Sequence, residues 1–214
     1  MAYFPFFINV KNKKCSIFGG GMVAYRKIEA LLEFEANITV IAPFVCAEIL
    51  EIKDRLNITP REYQEEDIEG SFFVIAATDD ATVNSEISKA CTGRNILVNV
   101  VDEMEECSFL FPAYVKKGDI SIGISTSGKS PVMAGRIKKT IRASIPDFYE
   151  TLVDTLGGYR DLVKKKIVHP KVRADIFKKL AELGIKNEGK VTPEDVDLLI
   201  EEQGNQGNRD EEKD

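Results

Sequence analysis

Three consecutive glycines, Gly19, Gly20 and Gly21, separate the apolar run CSIF from a segment of helical character that begins at Met22. With Ala24 they fit the pattern G-x-G-x-x-G/A, which between a strand and a helix is typical of a dinucleotide-binding loop. In this interpretation Gly19 makes the turn, Gly21 lets the backbone approach a pyrophosphate, and the helix amino terminus offers N–H groups to the phosphates. The alternative is a tight turn in which the glycines only prevent a steric clash. The strand and helix on either side favour the cofactor loop.

The acid that usually bonds the adenosine ribose of a dinucleotide is absent from the end of the next strand, which reads IAPF. No Arg or Lys stands there to select a 2′-phosphate, so the choice between NAD and NADP stays open. The ribose could be bonded by backbone groups at Pro43 and Phe44, or by Thr78 and Asp79 after the fourth strand. The alternative for Thr78, Asp79 and Asp80 is that they cap the following helix.

Asp102 directly follows the apolar run NILVNVV. In a parallel sheet it would emerge at the carboxyl ends of the strands, where such sheets bind ligands. A carboxylate in that place could take a proton from a substrate held against a nicotinamide. The alternative is a solvated turn residue within DEMEE, and the residues alone do not decide between the two.

The segment STSGKSP, residues 125–131, combines hydroxyls, a flexible glycine, a cation and a helix start, all of which suit anionic oxygens. The span 114–142 carries seven cations against Asp119 alone, a net charge of +6. One interpretation is a polyanionic ligand bound by Ser125, Thr126, Lys129 and Arg136. The alternative is a connection capped by Ser130 and followed by a solvated basic helix face.

The elements that must position these residues alternate between strand and helix, which indicates a parallel sheet covered on both faces. The predicted strands are 14–18, 37–42, 57–62, 72–77 and 95–101, and the predicted helices are 22–34, 44–55 and 81–91. After Asp102 the pattern changes, because strands are predicted over 108–111 and 119–125 with no helix between them. Helical signals follow from Pro131, with Ser130 as the predicted cap.

The chain is therefore predicted to be α/β, with a Rossmann-like parallel sheet domain over 1–112 that binds a dinucleotide. A small α+β module is expected over 113–145, and a helical carboxy-terminal region over 146–214. The last fourteen residues, EEQGNQGNRDEEKD, contain six acids, two bases and no apolar residue. We expect a solvated, disordered tail over about 203–214.

Composition excludes several classes of function. The chain has 214 residues and a net charge of −6, and its apolar runs are too short for a membrane span or a secretory signal. We therefore expect a cytoplasmic protein with no membrane partner. Four cysteines without a C-x-x-C pair and a single histidine predict no metal site. A nucleic-acid partner is not expected, since no aromatic residues interleave with the bases.

Four segments resemble, in order and spacing, motifs of the precorrin-2 dehydrogenases of siroheme biosynthesis, which also form the amino-terminal part of multifunctional siroheme synthases. These segments are GGGMVAYRK (19–27), VIAATDDATVN (74–84), NVVDEMEECSFLFPA (99–113) and ISTSGKSPVMAGRI (124–137). The resemblance covers about 3–145 well and the remainder only loosely.

The resemblance implies NAD-dependent oxidation of precorrin-2 to sirohydrochlorin, and a homodimer formed through the module that follows the sheet domain. Met22, Val23, Pro43 and Phe44 match the family's cofactor-contact positions, and Asp102 matches its proposed catalytic acid. The substrate is a carboxylate-rich tetrapyrrole, which would account for the basic span. The tight glycine loop is then best interpreted as a pyrophosphate site.

Two rival functions remain at this point. Some relatives also insert iron into the product, but the one histidine, His169, precedes Pro170 in the poorly matching part and is more often structural there. A bifunctional dehydrogenase and ferrochelatase is thus the first alternative. The second is an NAD-sensing module without catalysis, which would need neither STSGKSP nor the basic helix.

Overall fold

The computed structural model describes the backbone of residues 3–210 and the side chains of residues 3–202. The chain divides into two compact units. Of the described residues, the first contains 3–112 together with Ser127–Lys129, and the second contains Ala113–Thr126 together with 130–210. Separate hydrophobic clusters lie within each unit.

The first unit is built on a five-stranded sheet. Its strands are β1 (Lys14–Phe18), β2 (Asn37–Ile41), β3 (Asn57–Thr59), β4 (Phe73–Ala76) and β5 (Leu97–Val100). All neighbouring strands are parallel and their order is β3-β2-β1-β4-β5, which confirms the predicted Rossmann-like sheet. Because the winding direction reverses between β1 and β4, the topological switch point lies at the carboxyl ends of these two strands.

Three helices cover this sheet: α1 (Met22–Leu32), α2 (Ala47–Glu51) and α3 (Ala81–Gly93). Helix α1 buries Ala24, Ile28 and Leu31, which recur at helical spacing on one face. The helix predicted over 44–55 is wrong in its first turn, since α2 begins only at Ala47. The reason is tertiary: the Cys46 N–H donates to the Gly20 carbonyl at 2.8 Å, which keeps the preceding residues extended.

The strand predicted over 108–111 is also wrong. Hydrogen bonds that involve side chains take the place of a continuous backbone ladder there. The Ser108 N–H donates to the Val98 carbonyl at 2.9 Å, and the Ser108 hydroxyl accepts the Val98 N–H at 2.7 Å. One residue further, the Asn99 amide donates to the Phe109 carbonyl at 3.1 Å. The segment is therefore tied to the edge of β5 without forming a strand, and Phe109 and Phe111 pack against the core.

The second unit begins with an antiparallel hairpin of β6 (Ala113–Lys117) and β7 (Ile120–Ile124). Five helices follow: α4 (Pro131–Ser144), α5 (Phe148–Gly158), α6 (Arg160–Lys166), α7 (Pro170–Lys186) and α8 (Pro193–Asp210). Ser130 caps α4 as predicted, since its hydroxyl accepts the Met133 N–H at 3.2 Å. None of the helices among the residues described is long and apolar enough to cross a membrane.

The boundary predicted between 145 and 146 stays a prediction. The predicted tail lies largely outside the described residues, because the structure describes neither the side chains from 203 onward nor any part of 211–214. Helix α8 does extend along the backbone to Asp210, further than the composition of the tail indicates.

Asp67 closes the turn that leads into β4. Its carboxylate accepts hydrogen bonds from two guanidinium nitrogens of Arg61, at 2.6 and 2.7 Å, and from the Gln64 N–H at 2.9 Å. The bonds from Arg61 lower the pKa of Asp67 from its ordinary value. The Asp67 carbonyl in turn accepts the hydroxyl of Ser16 in β1 at 3.4 Å, which links this turn to the centre of the sheet.

We predict that this ion pair stabilises the fold at neutral pH and loses its effect in acid. Since the folded pKa of Asp67 is lowered, its contribution is present above the pKa of an unfolded aspartate and is lost as the pH falls through the folded value. Arg61→Gln should therefore lower the urea midpoint at neutral pH and have a smaller effect at acidic pH. Equal effects at both pH values would contradict this role.

Candidate active site

The glycine loop is fixed by backbone hydrogen bonds at the switch point of the sheet. The Gly19 N–H donates to the Ile41 carbonyl at the end of β2, at 3.0 Å. The Ala77 N–H donates to the Phe18 carbonyl at 2.7 Å, and this bond holds the end of β4 beside the start of the loop. With the bond from Cys46 to Gly20, the loop is held from both sides.

The three glycines of the loop differ in whether a side chain would fit at their position. Gly19 has φ +112°, and a Cβ there would overlap the Ala77 carbonyl oxygen. A Cβ at Gly20 would overlap the Phe44 carbonyl oxygen. At Gly21, by contrast, no heavy atom lies within 4 Å of the Cβ position. The tight-turn interpretation therefore applies to Gly19 and Gly20, whereas at Gly21 the structure leaves open space.

The amino terminus of α1 opens onto this space. Gly21 precedes the helix in extended conformation, no side chain caps the helix, and its first turn contains no acid. The first N–H groups of a helix have no partner within it and carry a partial positive charge, so they suit an anion. The open position at Gly21 and this uncapped terminus fit the pyrophosphate of a dinucleotide.

Apolar side chains border the same edge of the sheet. Phe44 is 89% exposed, and Met22 and Val23 are 42% and 41% exposed. Pro43 is exposed beside Phe44. Exposed apolar side chains that neighbour a phosphate-type loop offer contact surface to the flat rings of a dinucleotide. Their role in cofactor binding stays a prediction.

The turn after β4 has a structural network of its own. Asp80 caps α3, since its carboxylate accepts the N–H groups of Thr82 and Val83 at 2.7 and 3.4 Å. The Thr78 hydroxyl lies 2.8 Å from the Asn84 amide oxygen and is used within this turn. The Asp79 side chain is exposed. Capping thus belongs to Asp80, and cofactor contacts by Thr78 and Asp79 stay a prediction.

Asn84 was missed by the sequence analysis. Its side chain is 6% exposed, and its amide oxygen and nitrogen bond both the N–H and the carbonyl of Thr78, each at 3.1 Å. This pair of hydrogen bonds fixes the backbone of Thr78 beside Gly19. An Asn within a helical pattern gives no sequence signal of such a role.

Asp102 lies at the carboxyl edge, one residue beyond Val101, whose N–H donates to the Ala76 carbonyl at 2.9 Å. Its side chain is exposed and its φ is +63°. That left-handed conformation is uncommon outside glycine, although Asp and Asn tolerate it best. Such local strain costs about 1–3 kcal/mol and concentrates at functional sites.

The loop after Asp102 is anchored by side chains that the sequence analysis also missed. The Cys107 sulfur lies 3.1 Å from the Val100 nitrogen and 3.2 Å from its oxygen. Burial raises the pKa of the Cys107 thiol, which keeps it protonated and able to donate. The hydroxyls of Ser88 and Ser85 bond the Glu106 carbonyl and carboxylate at 2.8 and 2.9 Å.

Lys27 is a further charged residue of the first unit, and its contact with an aromatic ring cannot be predicted from the composition. Its ammonium lies 4.1 Å from the centre of the Phe111 ring. Burial lowers the pKa of Lys27 from its ordinary value. The side chain thus connects α1 to the segment that follows the Asp102 loop.

The predicted substrate residues are divided between the units. Ser125, Thr126 and Arg136 belong to the second unit, and Lys129 belongs to the first. Lys129 and Arg136 are exposed. The Thr126 hydroxyl is bonded to the backbone of Ser130, at 3.1 and 3.2 Å, and so shapes the entry to α4.

Gly128 shows how the tip of the STSGKSP segment is held in the first unit. It has φ +74°, and a Cβ there would overlap the sulfur of Met104, two residues beyond Asp102.

Among the residues that the structure describes, no group of three or more His, Cys, Asp or Glu side chains is placed to hold a metal ion.

Two family models match the chain. The model described as "Putative NAD(P)-binding" matches residues 6–113, and the model described as "Sirohaem biosynthesis protein central" matches residues 117–144. The first covers half of the chain and includes the glycine loop and Asp102.

Curated relatives are siroheme synthases. The one from Thioalkalivibrio sulfidiphilus is 38% identical over 184 residues, which are 85% of this chain and 38% of that protein. The one from Ruthia magnifica is 33% identical over 210 residues, 95% of this chain and 44% of that protein. The chain thus spans about two fifths of the length of these relatives.

Among solved structures, the chain is similar to SirC, a precorrin-2 dehydrogenase. The TM-score is 0.76 at 26% identity, and the match covers 95% of this chain and 100% of that chain. The likeness therefore extends over both units of the fold.

We predict that Gly20 and Gly21 respond differently to substitution. Gly20→Ala should destabilise the fold by about 1–3 kcal/mol, because the new methyl group meets the Phe44 backbone. Gly21→Asp should leave stability within about 0.5 kcal/mol, since nothing crowds the position. It should nevertheless abolish NAD binding, because it sets bulk and negative charge against the phosphates. Thermal unfolding and calorimetry with NAD measure both effects, and unchanged NAD affinity in folded Gly21→Asp would refute the cofactor loop.

Proposed function

Because the chain belongs to the family described as putative NAD(P)-binding and also matches the central segment of sirohaem biosynthesis proteins, we propose that it oxidises precorrin-2 to sirohydrochlorin with NAD. The observation that carries this proposal is the match to a precorrin-2 dehydrogenase along the whole of that chain. The siroheme synthases support the same pathway, although this chain corresponds to only part of their length. The proposal is therefore limited to the dehydrogenation step.

Cofactor binding is assigned to the carboxyl edge of the parallel sheet. Gly21 and the uncapped amino terminus of α1 take the pyrophosphate, and Gly19 and Gly20 hold the loop in place. Met22, Val23, Pro43 and Phe44 contact the nucleoside rings, with Thr78 and Asp79 on the β4 side. NAD, when bound, supplies the hydride acceptor. Pro43 and Phe44 offer neither an acid to the ribose nor a cation to a 2′-phosphate, so NAD is proposed from the family resemblance and not from these residues.

The role of proton acceptor is assigned to Asp102. Oxidation of precorrin-2 removes a hydride and a proton, so a carboxylate beside the nicotinamide site can accept the proton. Three features support Asp102: its place after β5, its exposed side chain and its anchored loop. The left-handed backbone at Asp102 sets the direction in which the carboxylate leaves the sheet.

Substrate binding is assigned to Ser125, Thr126, Lys129 and Arg136. The substrate carries many carboxylates, and hydroxyls and cations are the donors that bind them. The exposed Lys129 and Arg136 support this assignment. A homodimer through the module after the sheet domain is proposed as well, supported by the exposed Val132 and Met133 on α4. A cytoplasmic location is supported by the four free thiols.

Addition of precorrin-2 and NAD to the purified protein, followed by NADH absorbance, tests the proposed function directly. Formation of NADH is the expected result. NAD binding without turnover would instead favour the sensing alternative.

We predict that Asp102→Asn lowers kcat by roughly 10²–10⁴-fold, the range typical of a lost general base. Asn tolerates the left-handed backbone as well as Asp does, so the loop and the NAD affinity should persist. Glu103→Gln is the matched control, because it removes the neighbouring charge and should retain turnover. Joint loss of kcat and NAD affinity would make Asp102 structural, and near-normal turnover would place the base elsewhere.

We also predict that substrate affinity falls steeply with salt, because several cation–carboxylate contacts are screened together once the Debye length drops below about 8 Å. Lys129→Glu or Arg136→Glu should weaken binding and flatten that dependence. Dissociation constants measured over a salt series provide the test. A salt-independent constant in the unmodified protein would mean that the basic helix face does not bind substrate.

A further inference from the structure

Helices α5, α6 and α7 of the second unit surround a cleft of ≈ 790 Å³. Clefts of roughly 300–1,000 Å³ are the usual size for small organic ligands. Nine residues line it: Val153, Leu156, Gly157, Arg160, Asp161, Lys164, Arg173, Ala174 and Phe177. None of them has been assigned a role in the dehydrogenase site.

Val153, Leu156 and Phe177 are apolar side chains of this lining, and we refer to them as its apolar floor. Leu156 and Phe177 are half-buried and Val153 is 40% exposed. Gly157 contributes bare backbone, with no heavy atom within 4 Å of its Cβ position. A flat ring could therefore lie against an aromatic and two aliphatic side chains, which is the contact that favours a large apolar ligand over a small ion.

The rim of the cleft is cationic. Arg160 and Lys164 lie one turn apart on α6, and neither forms a hydrogen bond or ion pair with another described residue. Arg173 faces them from α7, where its guanidinium donates to the Val168 carbonyl at 2.7 Å and is thereby fixed. Asp161 is the one acid among the nine lining residues.

Neighbouring cations on α6 behave differently. Lys166 is paired with Asp197 at 2.7 Å, on the side of the helix that packs against α8. Lys165 is exposed but does not line the cleft. Arg160 and Lys164 thus line the same cavity as the apolar side chains, whereas Lys165 on the same helix does not.

We propose that this cleft binds an amphipathic organic anion, a ring compound that carries several carboxylates. An inorganic anion would leave the apolar floor uncovered, and a neutral apolar ligand would leave Arg160 and Lys164 without partners. If the proposed function holds, the fitting member of this class is a tetrapyrrole, held at a second site apart from the dehydrogenase residues. The cleft contributes binding only and no chemical step.

The chain contains no tryptophan, which allows a local reporter. In the Phe177→Trp protein, uroporphyrin, a stable carboxylate-rich porphyrin, should quench the single indole fluorescence in a saturable way. Arg160→Glu and Lys164→Glu should each weaken this binding roughly tenfold, through the loss of an attraction and the gain of a repulsion. Lys165→Glu, with the same charge change on the same helix, should change it less than about twofold.

Other outcomes would overturn the proposal. An equal effect of Lys165→Glu would mean that only the general field of α6 attracts the porphyrin, and unchanged affinity in Arg160→Glu and Lys164→Glu would place the porphyrin elsewhere. Equal binding of a poly-glutamate peptide would show that the apolar floor is not used. Calorimetry with uroporphyrin and the same charge variants in the Phe177 background gives the answer if Phe177→Trp does not fold.

Failure of this proposal is distinguishable from failure of the proposed function. Arg136→Glu should leave the quenching of the reporter unchanged, since Arg136 does not line the cleft. NADH formation from precorrin-2 is measured separately in the unmodified protein. Turnover without cleft binding would refute only the second site, and cleft binding without turnover would refute only the dehydrogenase.

Discussion

The packing of two glycines against neighbouring carbonyl groups is the constraint on which the rest of the site depends. Gly19 meets the carbonyl of Ala77, and Gly20 meets that of Phe44, so the ends of β1, β2 and β4 approach more closely than any side chain would permit. This approach brings the amino terminus of α1 to the switch point. It also keeps the segment before α2 extended and leaves Gly21 facing open space. A single contact geometry therefore defines both the fold of the loop and the open space at Gly21.

Much of this arrangement could be predicted from the sequence, because its signals are local. The apolar runs of β1 and β5, the helical spacing in α1 and the glycine pattern all depend on neighbouring residues, and parallel pairing then places Asp102 at the carboxyl edge. The wrong predictions lie where a group distant in the sequence determines the conformation of the backbone. The bond from Cys46 to Gly20 shortens α2, and the bonds of Ser108 and Asn99 replace a strand. Asn84 and Cys107 were missed for the same reason, since their partners become neighbours only in the folded chain.

The two units divide the chemistry in a way that suits a large, anionic substrate. The first unit provides the backbone cradle and the exposed acid, which are features of an electron-transfer site with a dinucleotide. The second unit provides helix α4, which contains four cations and no acid, and the cations of α6 that line the cleft. In the proposed function the second unit therefore contributes mainly to binding of the polycarboxylate, and the first unit contributes the cofactor loop and the proposed base.

The left-handed backbone at position 102 also limits which amino acids this position can carry. The proposed base requires a carboxylate, and Glu would provide one, yet the positive φ favours Gly, Asn, Asp and His over other residues. The two requirements overlap in Asp alone. A saturation library at this position would consequently separate folding from the proposed activity: Gly and Asn would preserve the loop without a carboxylate, and Glu would supply a carboxylate on a strained loop.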